Sequence, residues 1–335
     1  MNFLKSAPPI RSAITSLCAD IQLWNILFAL GLITPLALVL CSFLRPKTAS
    51  GDTAVYSLFH LALNRRPGET EDKDPQTEWL NMGYWKDENC FPDACRALAV
   101  KLVNAARLQP GANILDVGFG TGESVLFLLS EDTVPRPAKI TGITDMEPHC
   151  ERARRRVKKT YPYLMSGKEP RVVLLTGDAV GNDSPDHPLS PSSNSKPFDA
   201  ILALDCAYHF KTRRRFLEQS FARLSPNGRV ALADICFSKQ AVASYRTYIT
   251  TSILRMMPAE NRISEERYRQ QMKEIGYTDV AIENITSDVF PPFIHFLKSQ
   301  GWGWWLFGIV LQLYVLGSGA QFVLASGEKA RDTMA

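Results

Sequence analysis

Residues that could do chemistry concentrate in two short stretches. The first runs from Ile114 to Glu123, Ile-Leu-Asp-Val-Gly-Phe-Gly-Thr-Gly-Glu. An apolar run carries Asp116 near its end, and Gly118, Gly120 and Gly122 follow at alternate positions. Glycine accepts a sharp backbone turn and lets a ligand approach with no Cβ in the way. A helix beginning at Glu123 would present free N–H groups and a positive dipole end, which suit a carboxylate. A dinucleotide-binding turn would need its third glycine at position 123, where the chain has Glu123. A phosphate loop would need Gly-Lys-Ser/Thr, which does not follow. The second stretch is Ala207-Tyr208-His209-Phe210. An imidazole can take up a proton near neutral pH, so His209 is the candidate general base, with a structural histidine bonded to a backbone carbonyl as its alternative. Tyr208 either lines an acceptor pocket or packs as an ordinary aromatic.

The elements that must position these residues alternate. Strands are expected at Asn113 to Val117, Lys139 to Thr144, Arg171 to Thr176, Phe198 to Leu204 and Arg229 to Ile235. Helices are expected at Glu123 to Leu129, Pro148 to Lys159 and Thr212 to Leu224. Strands alternating with helices give an α/β fold with a parallel, doubly wound sheet. Gly181 to Lys196, rich in Ser, Pro and Asp, reads as a mobile surface loop.

Ile114 to Glu123 resembles motif I of the class I S-adenosylmethionine-dependent methyltransferases, and the resemblance runs from about Trp79 to Ala330. Asn81-Met82-Gly83-Tyr84-Trp85 is similar to the entrance segment of the small-molecule members related to quinone, sterol and phosphoethanolamine enzymes. Gly177-Asp178-Ala179 resembles the adenine-side motif, and Phe198-Asp199-Ala200-Ile201 through Asp205 the fourth-strand motif. Leu224-Ser225-Pro226-Asn227-Gly228 resembles the family's Leu-x-Pro-Gly-Gly turn, with Asn227 in place of a glycine. Both residue types tolerate positive φ.

The resemblance implies a seven-stranded Rossmann-like methyltransferase sheet with an antiparallel last strand, and S-adenosyl-L-methionine as cofactor. It implies that Gly118, Gly120 and Gly122 face the methionine moiety, with Asp116 supporting the loop and the cofactor's amino group. Asp178 would accept from the adenine amine, with Ala179 beside the ring. Asp205 joins the cofactor-binding set, and Tyr84 either closes over the cofactor or packs. The ribose contact departs from the common pattern. Thr144 stands where many members carry an acid, so either Thr144 or Asp145 takes that contact. Methyl transfer then asks mainly for alignment, because the sulfonium is already activated.

The chain has 335 residues, 45% of them hydrophobic, and a net charge of +4, which allows one large domain and a sizeable core. Arg152 to Lys159 is the densest basic cluster and reads as a solvated helix face, not a nucleic-acid patch. Seven cysteines show no metal spacing, and their odd number argues against a disulfide framework and for a reducing compartment. His60, His149, His187, His209 and His295 show no ligand spacing either, so no metal is expected.

Ile21 to Leu44 carries no charged side chain and lies between Asp20 and Arg45. About 20 apolar residues cross a bilayer, so residues 21–44 are expected to form a single transmembrane helix that tolerates Pro35. The run is long for a signal peptide and lacks an evident cleavage site. Arg45, Lys47, Arg65 and Arg66 after it outnumber Lys5 and Arg11 before it. That bias favours a cytosolic catalytic domain, and the endoplasmic reticulum is the expected membrane. The lack of acids before Asp20 leaves a mitochondrial membrane as the alternative.

Ser299 to Ser326 is also uncharged and long enough for a second span. Gln321 to Lys329, however, resembles the last strand of the sheet, with Val280 to Ile285 as its partner. Pro291 to Gly317 is then an inserted helical, apolar cap over the acceptor site, dipping into the membrane interface where Trp302, Trp304 and Trp305 are favoured. The expected organisation is a tail over 1–20, the membrane helix over 21–44, linker and entrance helices over 45–78, and the methyltransferase domain over 79–330. The leading functional expectation is methylation of a hydrophobic small-molecule acceptor, with membrane lipid as a further partner. A non-catalytic methyltransferase-like binding subunit at the membrane is the alternative.

Overall fold

Along Asn113–Val117 (β1), Ile114 joins one apolar cluster and Leu115 the other, so the strand is buried on both faces. Such two-sided burial is what a parallel sheet covered by helices requires. The computed structural model describes residues 61–331 apart from 71–73, 170, 182–183, 194 and 255–256. The expected membrane helix over 21–44 lies outside the described residues. Among the described residues, no helix is long and apolar enough to cross a membrane.

The remaining strands are Lys139–Thr144 (β2), Val172–Thr176 (β3), Phe198–Leu204 (β4), Leu224–Phe237 (β5), Thr278–Asn284 (β6) and Ala320–Glu328 (β7). They form one seven-stranded sheet in the order β3-β2-β1-β4-β5-β7-β6. β1 to β5 are mutually parallel, and β7 runs antiparallel between β5 and β6. Strand order reverses between β1 and β4, which opens a crevice at the carboxyl ends of those strands. Both candidate stretches of the sequence lie at that end.

Phe91–Ala106 (α1) starts with Pro92 in its first turn and buries Phe91, Ala94, Cys95, Leu98 and Leu102. This is the spacing of one helix face. Glu123–Ser130 (α2) and Glu147–Thr160 (α3) follow β1 and β2. Arg213–Arg223 (α4) is capped by Thr212, whose hydroxyl accepts from the Arg215 N–H. Tyr245–Leu254 (α5) and Glu265–Ile275 (α6) precede β6.

Between β6 and β7 the chain forms two helices, Thr286–Ser299 (α7) and Trp302–Ser318 (α8), packed on each other, with α5 against α8. α7 begins five residues before Pro291, the expected start of the insertion, and contains both Pro291 and Pro292. A second membrane span over 299–326 does not form, because residues 320–328 pair in the sheet.

The described part of Gly181 to Lys196 lies at the surface and is tied to the domain at several points. Leu189 and Ser190 are fully buried, and the Arg223 guanidinium donates to the carbonyls of Pro188, Ser193 and Ser195. Contrary to expectation, the basic face of α3 is not wholly solvated. Arg152 and Arg156 turn inward onto carboxylates, and Arg154 donates to the Leu174 carbonyl.

Candidate active site

The turn after β1 takes its shape from three glycines in the left-handed region: Gly118 at φ 75°, Gly120 at 55° and Gly122 at 90°. A Cβ on Gly122 would lie 2.7 Å from the Ala153 Cβ of α3, and one on Gly120 would lie 2.8 Å from Leu80 Cδ1. Close packing against α3 thus demands glycine at position 122 before any ligand is considered, whereas at Gly120 the neighbour is the flexible end of Leu80. Asp116 sits under the turn and is buried, accepting from Ser124 Oγ at 2.6 Å. Burial pushes its carboxyl up to about 6, opposed by the Ser124 hydrogen bond. Its described contact supports the start of α2.

The entrance segment is latched over this turn. The Glu78 carboxylate is buried and takes two bonds from Arg152, at 2.7 and 2.8 Å. The Glu78 N–H donates to Glu123 Oε2, which also pairs with Arg156. Thr121 Oγ1 donates to the Glu78 carbonyl at 2.9 Å. Leu80 then lies over Gly120, and the Met82 N–H donates to Asp205 Oδ2 at 2.8 Å. The Tyr84 ring is half-buried, 4.8 Å from Lys101 Nζ of α1, which pairs with Glu283 of β6. Leu80 and Met82 are therefore the members of this segment placed at the glycine turn and the end of β4.

Asp205 follows β4 with φ 58°. Its Oδ1 is buried without a hydrogen-bond partner. Burial pushes the carboxyl up to about 8, against the Met82 N–H and the neighbouring Tyr208 hydroxyl. Cys206 Sγ donates to the Val117 carbonyl, which ties the post-β4 turn to β1. The turn of Ala207–His209 follows, with Tyr208 buried and His209 exposed. Their ring centres are 4.2 Å apart. Burial first, and then the Asp205 charge, push the Tyr208 phenol up.

Asn261 fixes this turn, its Nδ2 donating to the carbonyls of Tyr208 and Phe210 at 3.0 and 2.8 Å. Arg213 in turn donates through Nη2 to the Asn261 carbonyl and through Nη1 to Asp234 Oδ2, at 2.7 and 2.8 Å. Arg213 and Asp234 are both fully buried, and Tyr268 adds a 3.0 Å bond to the same Asp234 oxygen.

At the end of β2, Thr144 is buried and Asp145 is exposed. Of the two ribose candidates, Asp145 is the one open to a ligand. At the end of β3, Asp178 is exposed, and its Oδ1 accepts from the Val180 N–H at 2.9 Å. The second oxygen can accept from an amine, with Ala179 beside it in sequence. His187 Nε2 contacts the Asp178 carbonyl at 2.9 Å and steadies that turn.

The sequence reading missed Glu78, Leu80, Met82, Arg152, Arg156, Arg213, Asp234 and Asn261. Only Arg152 and Arg156 carry a local signal. They stand four residues apart beside the buried Cys150, Ala153 and Val157.

A methyltransferase domain profile matches residues 85–282. The chain belongs to the methyltransferase domain family, with S-adenosylmethionine as its cofactor. The chain is 26% identical over 271 residues to the erythromycin 3''-O-methyltransferase of Saccharopolyspora erythraea, covering 75% of this chain and 82% of that protein. It is 31% identical over 158 residues to the 27-O-demethylrifamycin SV methyltransferase of Amycolatopsis mediterranei, covering 47% and 51%. A solved geranyl diphosphate methyltransferase in complex with S-adenosylmethionine shares the fold. Its TM-score is 0.54 at 15% identity, covering 72% of this chain and 87% of that one. The residues fit the cofactor. Exposed carboxylates of Asp145 and Asp178 follow two adjacent strands, next in the sheet to the strand that leads into the glycine turn and the N-terminus of α2.

Proposed function

We propose that the protein methylates a hydroxyl of a hydrophobic secondary metabolite, with His209 as the base. Both relatives described above are named for methylation of elaborate small molecules. The observation that carries the residue assignment is the exposed His209 on a turn fixed by Asn261 and tied to β1 through Cys206.

In this reading, Asp178 accepts from the adenine amine and Asp145 from the ribose. The glycine turn admits the methionine moiety, and the buried Asp116 holds that turn through Ser124. S-adenosylmethionine supplies an electrophilic methyl group. The protein's own part is alignment and proton transfer. Leu80 and Met82 cover the turn and exclude water, and His209 takes the proton of the acceptor hydroxyl. Tyr208 backs the imidazole and holds its ring plane. The helices inserted before β7 form the apolar cap that receives the acceptor.

We further propose attachment to the endoplasmic reticulum through residues 21–44, with the catalytic domain cytosolic and a mitochondrial membrane as the alternative. Alkaline extraction of membranes tests the attachment: release into the soluble fraction rejects it. Mass spectrometry of metabolites from a deletion strain tests the activity. A metabolite lacking one methyl group should accumulate, and an unchanged profile would reject the proposed reaction.

A further inference from the structure

α8 contains no charged residue, and from Ser299 to Gly327 the chain has none at all. A helix that is apolar all round is normally buried. α8 is buried on one side only, through Trp304, Val310, Leu311 and Tyr314. On its other side Trp302 is 75% exposed and Leu316 is 74% exposed, with Trp305 and Leu313 also exposed and Ile309 between them. These positions form one continuous stripe at helical spacing. From 302 to 316 it is about 21 Å long at 1.5 Å per residue. α5, packed on α8, exposes Tyr245 and Tyr248, with the Arg262 guanidinium 5.3 Å from the centre of the Tyr248 ring.

We propose that this face of α8 lies in the headgroup–acyl boundary of a phospholipid bilayer. An uncharged stripe with exposed tryptophans at one end matches the chemistry of that boundary, where such aromatic rings are favoured. The preceding chain favours lipid over a second copy. The uncharged run Ile21 to Leu44 ends sixteen residues, 45–60, before the first described residue. Extended, those residues reach at most about 55 Å, so an anchored chain keeps its domain close to the bilayer. α8 is 17 residues long and its ends are fixed by α7 and β7, so it lies on the surface and does not span. This face would let a membrane-dissolved acceptor enter the cap without crossing water. It rests on the proposed membrane attachment only for proximity.

The test uses the full chain, in a Trp24→Phe background, with vesicles of phosphatidylcholine and phosphatidylserine. Bromine-labelled acyl chains should quench Trp302 and Trp305. The quenching should be lost in the Trp302→Phe/Trp305→Phe variant, and in Leu313→Glu/Leu316→Glu with unchanged circular dichroism. Vesicle-bound protein whose emission is quenched by aqueous iodide but not by brominated lipid overturns the inference. So does a lipid-free dimer dissolved by Leu316→Glu in the absence of lipid quenching, which would make the face a contact between copies. Failure of the anchor alone reads differently. The Leu30→Arg/Leu38→Arg chain would then bind vesicles as the intact chain does, with the same quenching of Trp302 and Trp305.

Discussion

The Met82 N–H and the Asp205 carboxylate, 123 residues apart in sequence, meet at 2.8 Å and join the entrance segment to the end of β4. One oxygen of that carboxylate holds the segment, while the other is buried without a partner. Asp205 is therefore a joint between the cover of the site and its floor, and its charge state bears on both.

That joint has a pH signature. The Asp205 carboxyl is raised from an ordinary 3.8 to about 8, chiefly by burial. The folded protein therefore holds a proton that the unfolded chain releases. The stability contribution is fully present below about 4, declines as pH rises, and is gone above about 8. Asp205→Asn keeps an acceptor for Met82 but removes the titration. Its melting temperature should fall less than that of the wild type between pH 5 and 8. Parallel curves for the two proteins would place the buried proton elsewhere.

His209→Ala should lower turnover by about 10²- to 10⁴-fold, the usual range for a general base. Cofactor affinity, read by calorimetry, should be unchanged. The wild-type rate should rise with pH through the imidazole range, and the variant should lose that step. A variant with nearly full turnover would leave His209 as a positioning or surface residue.

Removing one member of the buried Arg213–Asp234 pair should be severe. Asp234→Ala leaves an uncompensated guanidinium and should cost about 3–5 kcal/mol in chemical denaturation. Replacing both residues by apolar ones of similar size should cost much less. Turnover should still drop in the double variant, because Asn261 loses the donor to its carbonyl.

The glycine turn separates packing from ligand access. Gly122→Ala meets the Cβ of Ala153 on α3, a neighbour that cannot swing away. Gly120→Ala meets the far end of the flexible Leu80 side chain. Both carry the left-handed penalty of about 1–2 kcal/mol. Gly122→Ala should therefore lower the melting temperature more. Gly120→Ala should remain folded and lose cofactor affinity in calorimetry. Equal affinity in a folded Gly120→Ala protein would remove this turn from the cofactor site.

The first four strands were legible because each is a short run with a mostly apolar core, such as Ile-Leu-Asp-Val or Ala-Ile-Leu-Ala-Leu. Lys139–Thr144 and Phe198–Leu204 coincide with the expected limits. β5 is longer than expected, because its pairing with β7 and β4 carries it from Leu224 to Phe237. The start of α7 was hidden by Pro291 and Pro292, which read as a boundary. Packing of Val289, Phe290, Phe293 and Ile294 holds the helix through them. The latch of Glu78 on Arg152 and the pair of Arg213 with Asp234 join distant segments and leave no periodic trace. Charged residues on helices read as solvated until the fold supplies a partner. The roles proposed for His209, Asp145 and Asp178 rest on their positions just after strands β4, β2 and β3, which strand order makes intelligible.

β5 and β7 lie side by side, yet Arg229 and Glu328, which face each other at one end of the pair, are 99 residues apart. A ribosome extends a chain at roughly 5–20 residues per second. β5 therefore emerges roughly 5–20 seconds before its neighbour exists, at those rates. During that interval the row of N–H and C=O groups that β7 will cover stands bare, a template for any passing strand. A nascent chain stalled before Ala320 keeps that row open. Such products should be held by chaperones or degraded, and their yield should recover only when translation passes Glu328.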